Sequence, residues 1–473
     1  MNDYSNSDKA ALKGVRDTGA PVNPGVTVSS VELAEAVSLL QGLIRIDTTN
    51  PPGNEGRAAE YLKTCFERNG IDCDVIGEPG RENAIAKLRG EREKPRLLFL
   101  SHTDVVPATN VGAWKHPPFS GEVEGKWVYG RGACDDKFDA AVQAMALILI
   151  RRRNIRLNGT LLYASVSDEE VDGRGAEWLT TNQPEKVASE YVVGEGGGPP
   201  IKIGDRKAYV ISTGEKGLVW LKLTAKGRGG HGSIPTLADN ANLKMAKAFL
   251  NLSNFKPRIR VGEDIAAGIR TVTRGLFGEK EASRLTKRYL NARDLDKLLD
   301  RISSKDRQIA EGLRSLTRMT ISPNVIHGGT ETNVIPGVSE AKVDIRLLPG
   351  QDREDAVRTV KQCVKGLNVE VDAYHYSAVS ISPSNTPFYG AIHSTITELV
   401  PGSITIPRIS SGMSDSRFWR KIGSVVYGFV PMSPETKVAE ISPGVHGSNE
   451  RVDIPSIEFA TSFLSTLATR VLS

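Results

Sequence analysis

Cysteine is scarce in this 473-residue chain, and its placement predicts neither disulfides nor a thiolate metal site. The four cysteines are Cys65, Cys73, Cys134 and Cys363, and no two of them form a Cys-x-x-Cys pair. Disulfide frameworks and zinc sites built from thiolates both need closely paired cysteines. We therefore expect a protein of a reducing compartment, in which any metal is held by other side chains.

Long apolar segments are also missing. The longest apolar stretch, residues 140–150, is far shorter than the ~20 residues that a membrane-spanning helix needs. Residues 1–28 are polar, contain glycine and proline and lack the apolar centre of a secretory signal, so we predict a disordered N-terminal tail there. These features predict a cytoplasmic protein without a membrane partner.

No block of a single charge stands out either. Charged residues make up 25% of the chain and the net charge is +5, but the basic residues are spread along the sequence. Proteins whose main partner is nucleic acid carry a basic patch or stripe. The charge pattern therefore argues against nucleic acid as the main partner.

The apolar pattern that is present alternates between helices and strands. At this length two domains are expected. Amphipathic helices are predicted at 31–46 and 55–69, a buried helix at 138–153, and short buried strands at 96–100, 161–166 and 191–193. This order is typical of an α/β domain with a mainly parallel sheet.

A second pattern begins at residue 217 and has the order of a ferredoxin-like α+β domain. Strands are predicted from 217 and at 325–326, 339–347 and 369–374, with helices at 240–251 and 354–365. We predict that residues 217–381 are inserted into a catalytic domain formed by 29–216 and 382–473. Within the insertion, an extra segment at about 257–320 has apolar residues at helical spacing, which predicts a packed helical face.

Five short motifs carry acidic and histidine residues in a fixed order. They are SHTDVVP (101–107), GRGACDDK (130–137), SDEE (167–170), GEGGG (194–198) and GVHGSNE (444–450). Together they supply two imidazoles and several carboxylates, which is the ligand set of a dinuclear zinc site. Three of them begin where a predicted strand stops, at the sheet edge where α/β proteins bind ligands.

The first three motifs each suggest a role, although each alone has an ordinary explanation. His102 and Asp104 point the same way from an extended backbone, so the carboxylate is placed to fix the imidazole tautomer. In the pair Asp135 and Asp136, one carboxylate can bridge two cations. The SDEE motif pairs a candidate base with a candidate ligand. A core histidine and acids on solvated turns are the alternatives.

In this order the motifs resemble the dinuclear zinc aminoacylase and carboxypeptidase family, from about residue 33 to the C-terminus. That family includes acetylornithine deacetylase, succinyl-diaminopimelate desuccinylase and glutamate carboxypeptidase. The resemblance implies two Zn²⁺ per subunit, with Co²⁺ or Mn²⁺ as substitutes, and a cis peptide between Asp135 and Asp136. It implies that Asp135 bridges the metals, that His102 and Glu195 complete one site and Glu170 and His446 the other, and that Glu169 is the general base.

The resemblance extends to the inserted domain, where it implies a lid and a homodimer. His231, in GRGGHGSIP, matches a histidine that stabilises the oxyanion from the neighbouring subunit. Asn333 and Arg346 match positions that hold the substrate carboxylate, and Gly412 matches a substrate loop that offers backbone amides. A surface histidine, an ion pair between Arg346 and Asp344, and an ordinary turn at Gly412 are the alternatives.

These residues predict a zinc-dependent hydrolase that cleaves the amide bond of an N-acyl amino acid or of a short peptide with a free carboxylate. A deacylase and a dipeptidase or carboxypeptidase share the metal, base and anchor, so the sequence does not separate them. A non-catalytic dimeric binding protein on the same fold would require loss of a ligand or of the base. A two-metal phosphoesterase is disfavoured, because no glycine loop followed by Lys and Ser or Thr is present.

Overall fold

A computed structural model describes residues 25–473. The described chain forms two compact units. The first contains the described residues up to Thr213, together with Ser382–Arg408 and Ser414–Ser473, and the second contains Gly214–Ile381 and Ile409–Met413. Most of the predicted N-terminal tail, residues 1–24, lies outside the described residues.

The elements are numbered here in chain order. The helices are α1 Ser30–Ile44, α2 Glu55–Glu67, α3 Lys137–Arg152, α4 Arg174–Asn182, α5 Pro184–Val187, α6 Ala241–Asn254, α7 Glu263–Phe277, α8 Glu279–Tyr289, α9 Leu295–Ser303, α10 Arg307–Leu316, α11 Arg353–Cys363, α12 Pro387–Leu399, α13 Ser416–Lys421, α14 Val438–Ile441 and α15 Ile454–Leu472. None of the helices within residues 25–473 combines the length and apolarity that crossing a bilayer requires.

The strands follow the same numbering. They are β1 Asp72–Glu78, β2 Arg81–Leu88, β3 Arg96–His102, β4 Val123–Glu124, β5 Trp127–Tyr129, β6 Thr160–Val166, β7 Tyr191–Gly198, β8 Ile201–Ile203, β9 Arg206–Glu215, β10 Gly217–Lys226, β11 Gly230–His231, β12 Thr320–His327, β13 Val334–Ile335, β14 Val338–Leu347, β15 Val369–Ser377, β16 Ser380–Ile381, β17 Ile404–Ser410, β18 Val425–Pro431 and β19 Arg451–Asp453. Each predicted strand and helix overlaps an observed one, with bounds that shift by a few residues.

The first unit is built on a sheet in the order β1-β2-β6-β3-β7-β18-β9, and its centre is parallel. Strands β6, β3, β7 and β18 run in one direction, whereas β1, β2 and β9 pair antiparallel at the two sides. All seven residues of β3 and of β6 are buried, as expected for strands covered on both faces. The predicted α/β class with a mainly parallel sheet is confirmed.

Helix α3 crosses the interior of the first unit. Every residue from Lys137 to Ile150 is buried, which is the pattern of a helix that contacts protein on all sides. It packs against the C-terminal helix α15 and against α1. Because α3 starts directly after Asp135 and Asp136, this packing fixes the turn that carries them.

Residues 25–28 correct one boundary in the prediction. The amide of Val26 donates to Thr466 Oγ1 at 3.0 Å, and Ser462 Oγ donates to the carbonyl of Val26 at 2.6 Å. These bonds attach the segment to α15, so the prediction of disorder up to residue 28 is wrong for its last four residues.

The second unit contains a four-stranded antiparallel sheet in the order β12-β14-β10-β15, with α6 and α11 packed on it. The chain order strand, helix, two strands, helix, strand is that of the predicted ferredoxin-like domain. Between α6 and β12 the extra segment forms α7, α8, α9 and α10. The predicted apolar face is largely confirmed there, since Leu295, Leu298, Leu299 and Ile302 are fully buried.

The second unit also includes five residues that the sequence prediction assigned to the catalytic domain. Ile409–Met413 belongs to it, because the Lys216 amide donates to the Ser410 carbonyl at 2.9 Å and Arg346 Nη1 donates to the Ser411 carbonyl at 3.0 Å. The predicted position of Gly412 therefore moves from the first unit to the second.

Candidate metal centre

The motif residues of the first unit meet at the carboxyl edge of the parallel strands. His102 is the last residue of β3, Glu169 and Glu170 follow the end of β6, and Glu195 lies in β7. The order β6-β3-β7 makes these three strands direct neighbours. His446 comes from the loop between α14 and β19, and it adopts a left-handed backbone conformation with φ 57°.

Asp135 stands between the two histidines. Its Oδ1 lies 3.2 Å from His102 Nε2, and its Oδ2 lies 3.3 Å from His446 Nε2. One carboxylate thus offers a separate oxygen to each side, which is the geometry of a group that bridges two cations. The peptide bond between Asp135 and Asp136 is cis, as the resemblance implied.

Two groups of ligand atoms share this carboxylate. His102, Asp135 and Glu195 form one group and Asp135, Glu170 and His446 the other, with the ligand atoms of each group within 4.8 Å of one another. Within these groups, His102 Nε2 lies 3.4 Å from Glu195 Oε2, and His446 Nε2 lies 3.2 Å from Glu170 Oε2. The structure thus brings all five predicted ligands together.

The donor set fits a pair of divalent cations. Imidazole nitrogens and carboxylate oxygens are ordinary zinc ligands, and Glu170 Oε1 is buried without a hydrogen-bond partner among the described residues. The side chains of Glu170 and Glu169 are 7% and 11% exposed. Carboxylates buried this closely together repel one another unless cations lie between them.

The histidine pKa values show the same excess of negative charge. Burial alone would lower the pKa of His102, but hydrogen bonds to Asp104, Asp135 and Glu195 raise it well above its ordinary value. Hydrogen bonds to Asp135 and Glu170 raise the pKa of His446 to about 10. Both shifts show that the cluster attracts positive charge.

Asp104 contacts both His102 and the two glutamates that follow β6. His102 Nδ1 lies 3.3 Å from Asp104 Oδ1 and 3.1 Å from the Asp104 carbonyl, so the ring proton is held at Nδ1 and Nε2 is left to face the cluster. The amides of Glu169 and Glu170 donate to the two Asp104 oxygens at 3.1 Å each. The geometry agrees with the tautomer-fixing position predicted for Asp104.

Glu169 lies beside this cluster without belonging to either group of ligand atoms. Its Oε2 is 3.9 Å from His102 Nε2. Burial, reinforced by the nearby carboxylate of Glu195, raises the pKa of Glu169 well above its ordinary value. A carboxyl group with a raised pKa can both take and return a proton near neutral pH.

Sequence reasoning did not assign a role to Glu450, which shapes the turn around Asp135. Its Oε1 accepts hydrogen bonds from the amides of Cys134 and Asp135, both at 2.9 Å, and its Oε2 accepts from Gly132 and from Arg131 Nη1. Arg131 Nη2 also donates to the Gly447 carbonyl at 2.9 Å. These contacts join the Asp135 turn to the loop that carries His446.

Asp136 and Asp139 are two further buried acids close to Asp135 in the chain. The carboxylate of Asp136 accepts a 3.1 Å hydrogen bond from the His102 amide. Burial first, and then the neighbouring carboxylate of Asp139, raise the pKa of Asp136 well above its ordinary value. Asp136 is therefore suited to support the end of β3 rather than to add charge to the cluster.

His231 and Asn333 lie together in the second unit. Strands β11 and β13 pair His231 with Val334, and the Gly232 amide donates to the Asn333 carbonyl at 2.7 Å. His231 is exposed, and its Nδ1 accepts a 3.2 Å hydrogen bond from the Ser233 amide and lies 2.7 Å from Ser233 Oγ. This leaves its other nitrogen, Nε2, as the protonated one that can donate to a ligand.

Arg346 forms an ion pair with Asp344, and Gly412 lies in a turn. The fork of Arg346 donates to both oxygens of Asp344, at 2.8 and 3.1 Å, because the two side chains lie on the same face of β14. The Gly412 amide donates to Ser410 Oγ at 3.1 Å within the same loop, as in an ordinary turn. In this structure, therefore, neither group is free of an intramolecular partner.

Comparison with known proteins now decides the family. The model of peptidase family M20/M25/M40 matches residues 98–470, which includes all five motifs. The chain belongs to this family. The predicted resemblance is confirmed, and this M20 protein is a metal-dependent hydrolase of amides or peptides.

Individual relatives agree with that placement. The chain is 29% identical over 384 residues to the N-fatty-acyl-amino acid synthase/hydrolase of Homo sapiens, covering 78% of this chain and 73% of that protein. It has the fold of an M20 family metallo-carboxypeptidase from Sulfolobus solfataricus, with TM-score 0.68, 21% identity and coverage of 92% and 98%. It also has the fold of a dinuclear metal-binding M20 peptidase from Bacillus subtilis, with TM-score 0.62, 15% identity and coverage of 94% and 99%.

Proposed function

We propose that this M20 protein hydrolyses the amide bond of N-acyl amino acids. The observation that carries the proposal is the pair of ligand groups that share Asp135, with Glu169 beside them. The similarity to a human N-fatty-acyl-amino acid synthase/hydrolase supports an acylated amino acid as the substrate.

The cofactor in this proposal is a pair of zinc ions. His102 and Glu195 would hold one, Glu170 and His446 the other, and Asp135 would bridge them. Two such cations polarise a carbonyl oxygen and lower the pKa of a water molecule. The nitrogen and oxygen donors suit zinc, and they also accept Co²⁺ or Mn²⁺.

Glu169 transfers the proton of the attacking water in this proposal. Glu169 takes it from the attacking water, which its high pKa favours, and delivers it to the nitrogen of the leaving amino acid. Asp104 keeps His102 in the tautomer that directs Nε2 to the cluster. Because Asp104 also binds the amides of Glu169 and Glu170, one carboxylate sets the position of base and ligands together.

The resemblance assigns substrate recognition to residues of the second unit. His231, whose Nδ1 accepts from the Ser233 amide, would donate from Nε2 to the developing oxyanion. The Arg346 guanidinium, oriented by Asp344, would bind the free carboxylate, and Asn333 would add an amide. The predicted homodimer, in which His231 serves the neighbouring subunit, and the cytoplasmic location stay predictions.

A carboxypeptidase or dipeptidase is the second candidate. It is favoured by the likeness to the Sulfolobus solfataricus metallo-carboxypeptidase. The two activities share the carboxylate on the released amino acid and differ on the acyl side of the bond. A free α-ammonium or a peptide in that position marks a peptidase, whereas an apolar acyl chain marks a deacylase.

The test is hydrolysis of a matched panel. Each amino acid is offered with an acetyl group, with a long-chain acyl group and as the C-terminal residue of a dipeptide, and each compound also as its C-terminal carboxamide. The protein is stripped with a chelator, reloaded with zinc, and its metal content is measured on the same sample. Zinc-restored cleavage of the acylated acids, with about two metals per chain, is the expected result.

Two results would contradict the proposal. Cleavage of dipeptides alone would replace it with the peptidase. Failure to bind metal after reloading, with no cleavage of any compound, would favour a dimeric binding protein on the same fold.

A further inference from the structure

A buried network behind the cluster has Asn50 at its centre. Asn50 is 3% exposed, and its Nδ2 donates to Asp104 Oδ2 at 2.8 Å and to Asp168 Oδ1 at 3.0 Å. The two acceptors are themselves buried carboxylates, 0% and 4% exposed. One amide nitrogen therefore links two acids that would otherwise repel each other.

The backbone fixes Asn50 in this position. The amide of Asn50 donates to the Val105 carbonyl at 2.9 Å, and the Val105 amide donates to the Thr48 carbonyl at 3.2 Å. Thr48 Oγ1 adds a 2.5 Å hydrogen bond to the Thr103 carbonyl. Segment 48–50 thus lies along 103–105, immediately after the strand that carries His102.

The far side of the network is anchored by an ion pair. Arg81 donates to both oxygens of Glu55, at 3.0 and 2.6 Å, and its Nη2 also donates to Asp168 Oδ1 at 2.9 Å. Glu55 is fully buried at the start of α2, and its Oε1 accepts the Asp168 amide at 3.2 Å. Asp168 precedes Glu169 in the chain, so the contacts of Arg81 and Glu55 with Asp168 also restrain the backbone next to Glu169.

We propose that Asn50 is a positioning residue for the hydrolytic site, which holds the Asp104 carboxylate against His102 and against the amides of Glu169 and Glu170. Asp104 accepts from these two amides and lies beside the imidazole, so a rotation of its carboxylate would displace the base and two metal ligands at once. Asn50, which also donates to Asp168, adds a side-chain contact that opposes such a rotation. The inference rests on the proposed function for its kinetic consequence, but not for its structural one.

The chain offers a matched control in Asn83. It is equally buried, at 1% exposed, and it contacts the same loop, since Asn83 Oδ1 accepts the Ser167 amide at 3.0 Å. Its Nδ2 donates to the Ile76 carbonyl at 3.1 Å, a contact away from Asp104. Replacing Asn83 therefore removes a buried amide near the site without touching the proposed link.

The experiment compares Asn50→Ala, Asn50→Asp and Asn83→Ala in the full-length protein. Each is loaded with Co²⁺ for its visible absorption spectrum and with zinc for kcat, KM and metal content, and thermal unfolding is recorded. We expect both Asn50 variants to change the Co²⁺ spectrum and to lower kcat by about 10- to 100-fold at full metal loading, with KM nearly unchanged. Asn83→Ala should lower the unfolding temperature only.

A double variant asks whether Asn50 acts through Asp104. Asn50→Ala combined with Asp104→Ala should lose no more activity than Asp104→Ala alone, because the first substitution removes support for a group that is already gone. Additive losses would overturn the inference. So would a wild-type Co²⁺ spectrum in both Asn50 variants, or a spectral change in Asn83→Ala of the same size.

These results also separate this inference from the proposed function. If the wild-type protein cleaves no acylated amino acid, the proposed function fails, yet the Co²⁺ spectra still decide whether Asn50 positions the ligands. If the wild type is active and Asn50→Asp is equally active with an unchanged spectrum, only the positioning role fails. Should Asn50→Ala not fold, the isosteric Asn50→Asp carries the comparison.

Discussion

Arg131 and Glu450 form a salt bridge of 2.5 Å in which each side chain is only 1% exposed. Breaking it by Glu450→Ala leaves a buried guanidinium without its charge partner and frees three amides of the Asp135 turn. We expect a loss of about 3–5 kcal/mol in the free energy of unfolding, together with loss of bound metal. Denaturant unfolding and metal analysis measure the two effects.

The control for this prediction is a pair on the surface. Arg284 and Glu281 form a salt bridge one helical turn apart on α8, in contact with solvent. Glu281→Ala should leave the unfolding midpoint and the metal content unchanged, because exposed pairs contribute little. If the two substitutions lowered stability and metal content equally, burial of the Arg131–Glu450 pair would not be the cause of the effect.

Glu169 is predicted to act on protons and not on metal. In Glu169→Ala, kcat should fall by several orders of magnitude while the protein still binds both metals, because Glu169 belongs to neither ligand group. Single-turnover kinetics and metal content on one preparation give the answer. Near-normal turnover in this variant would remove Glu169 as the base.

His231 is predicted to serve a neighbouring subunit. His231→Ala should be folded and bind metal but lose activity, since its ring contacts only Ser233 in the described hydrogen bonds and ion pairs. Mixing it with inactive Glu169→Ala should restore part of the activity in hybrid dimers, each with one complete site. No recovery in mixtures that form dimers would argue against action across subunits.

Arg346 offers a test of carboxylate recognition. Arg346→Ala should reduce kcat/KM by about 10- to 100-fold for substrates with a free carboxylate, the effect of losing charged hydrogen bonds. It should change little for the corresponding carboxamides. Asp344→Asn keeps the guanidinium but loosens its fork, so a smaller loss is expected. Equal losses on acids and carboxamides would indicate a purely structural pairing.

Asp415 predicts a pH dependence of stability. Neither of its oxygens accepts a hydrogen bond from a described residue, and burial raises its pKa to about 7. Because the folded state holds this proton more tightly than the unfolded state, stability contributed by the protonated group is lost as pH rises from about 4 to 7.

The substitution Asp415→Asn checks this sign. It should flatten the fall in unfolding temperature of the metal-free protein across that pH range and leave the variant more stable than wild type at pH 8. Parallel pH profiles for the two proteins would show that Asp415 is not the group responsible.

The sequence predicted those parts of the site that local pattern determines. His102 follows a buried strand and Glu169 and Glu170 follow another, so their meeting at one sheet edge could be expected. Asp135 precedes a helix that is buried from Lys137 to Ile150, so it lies where a buried element begins.

The contacts that hold the site in place were not predictable in this way. Asn50 is one polar residue in a proline-containing loop, and only the tertiary pairing of 48–50 with 103–105 buries it. Glu450 lies inside a motif that was noted for its histidine, but its amide partners are more than 300 positions away. The role of Arg346 stays a prediction, and its fork donates to Asp344 on the same strand face.

The first unit is formed by chain segments that lie before and after the second unit in the sequence, so its metal ligands are synthesised at different times. Asp135 and the residue that cradles its amide are separated by 315 positions. A growing chain emerges from its N-terminus onward, so the first ligands leave the ribosome long before His446 and Glu450 exist. Metal capture at full strength is therefore a late step of biosynthesis. A product truncated before residue 444 would keep only the ligand group of His102, Asp135 and Glu195. Its Asp135 turn would lack the hydrogen bonds to Glu450.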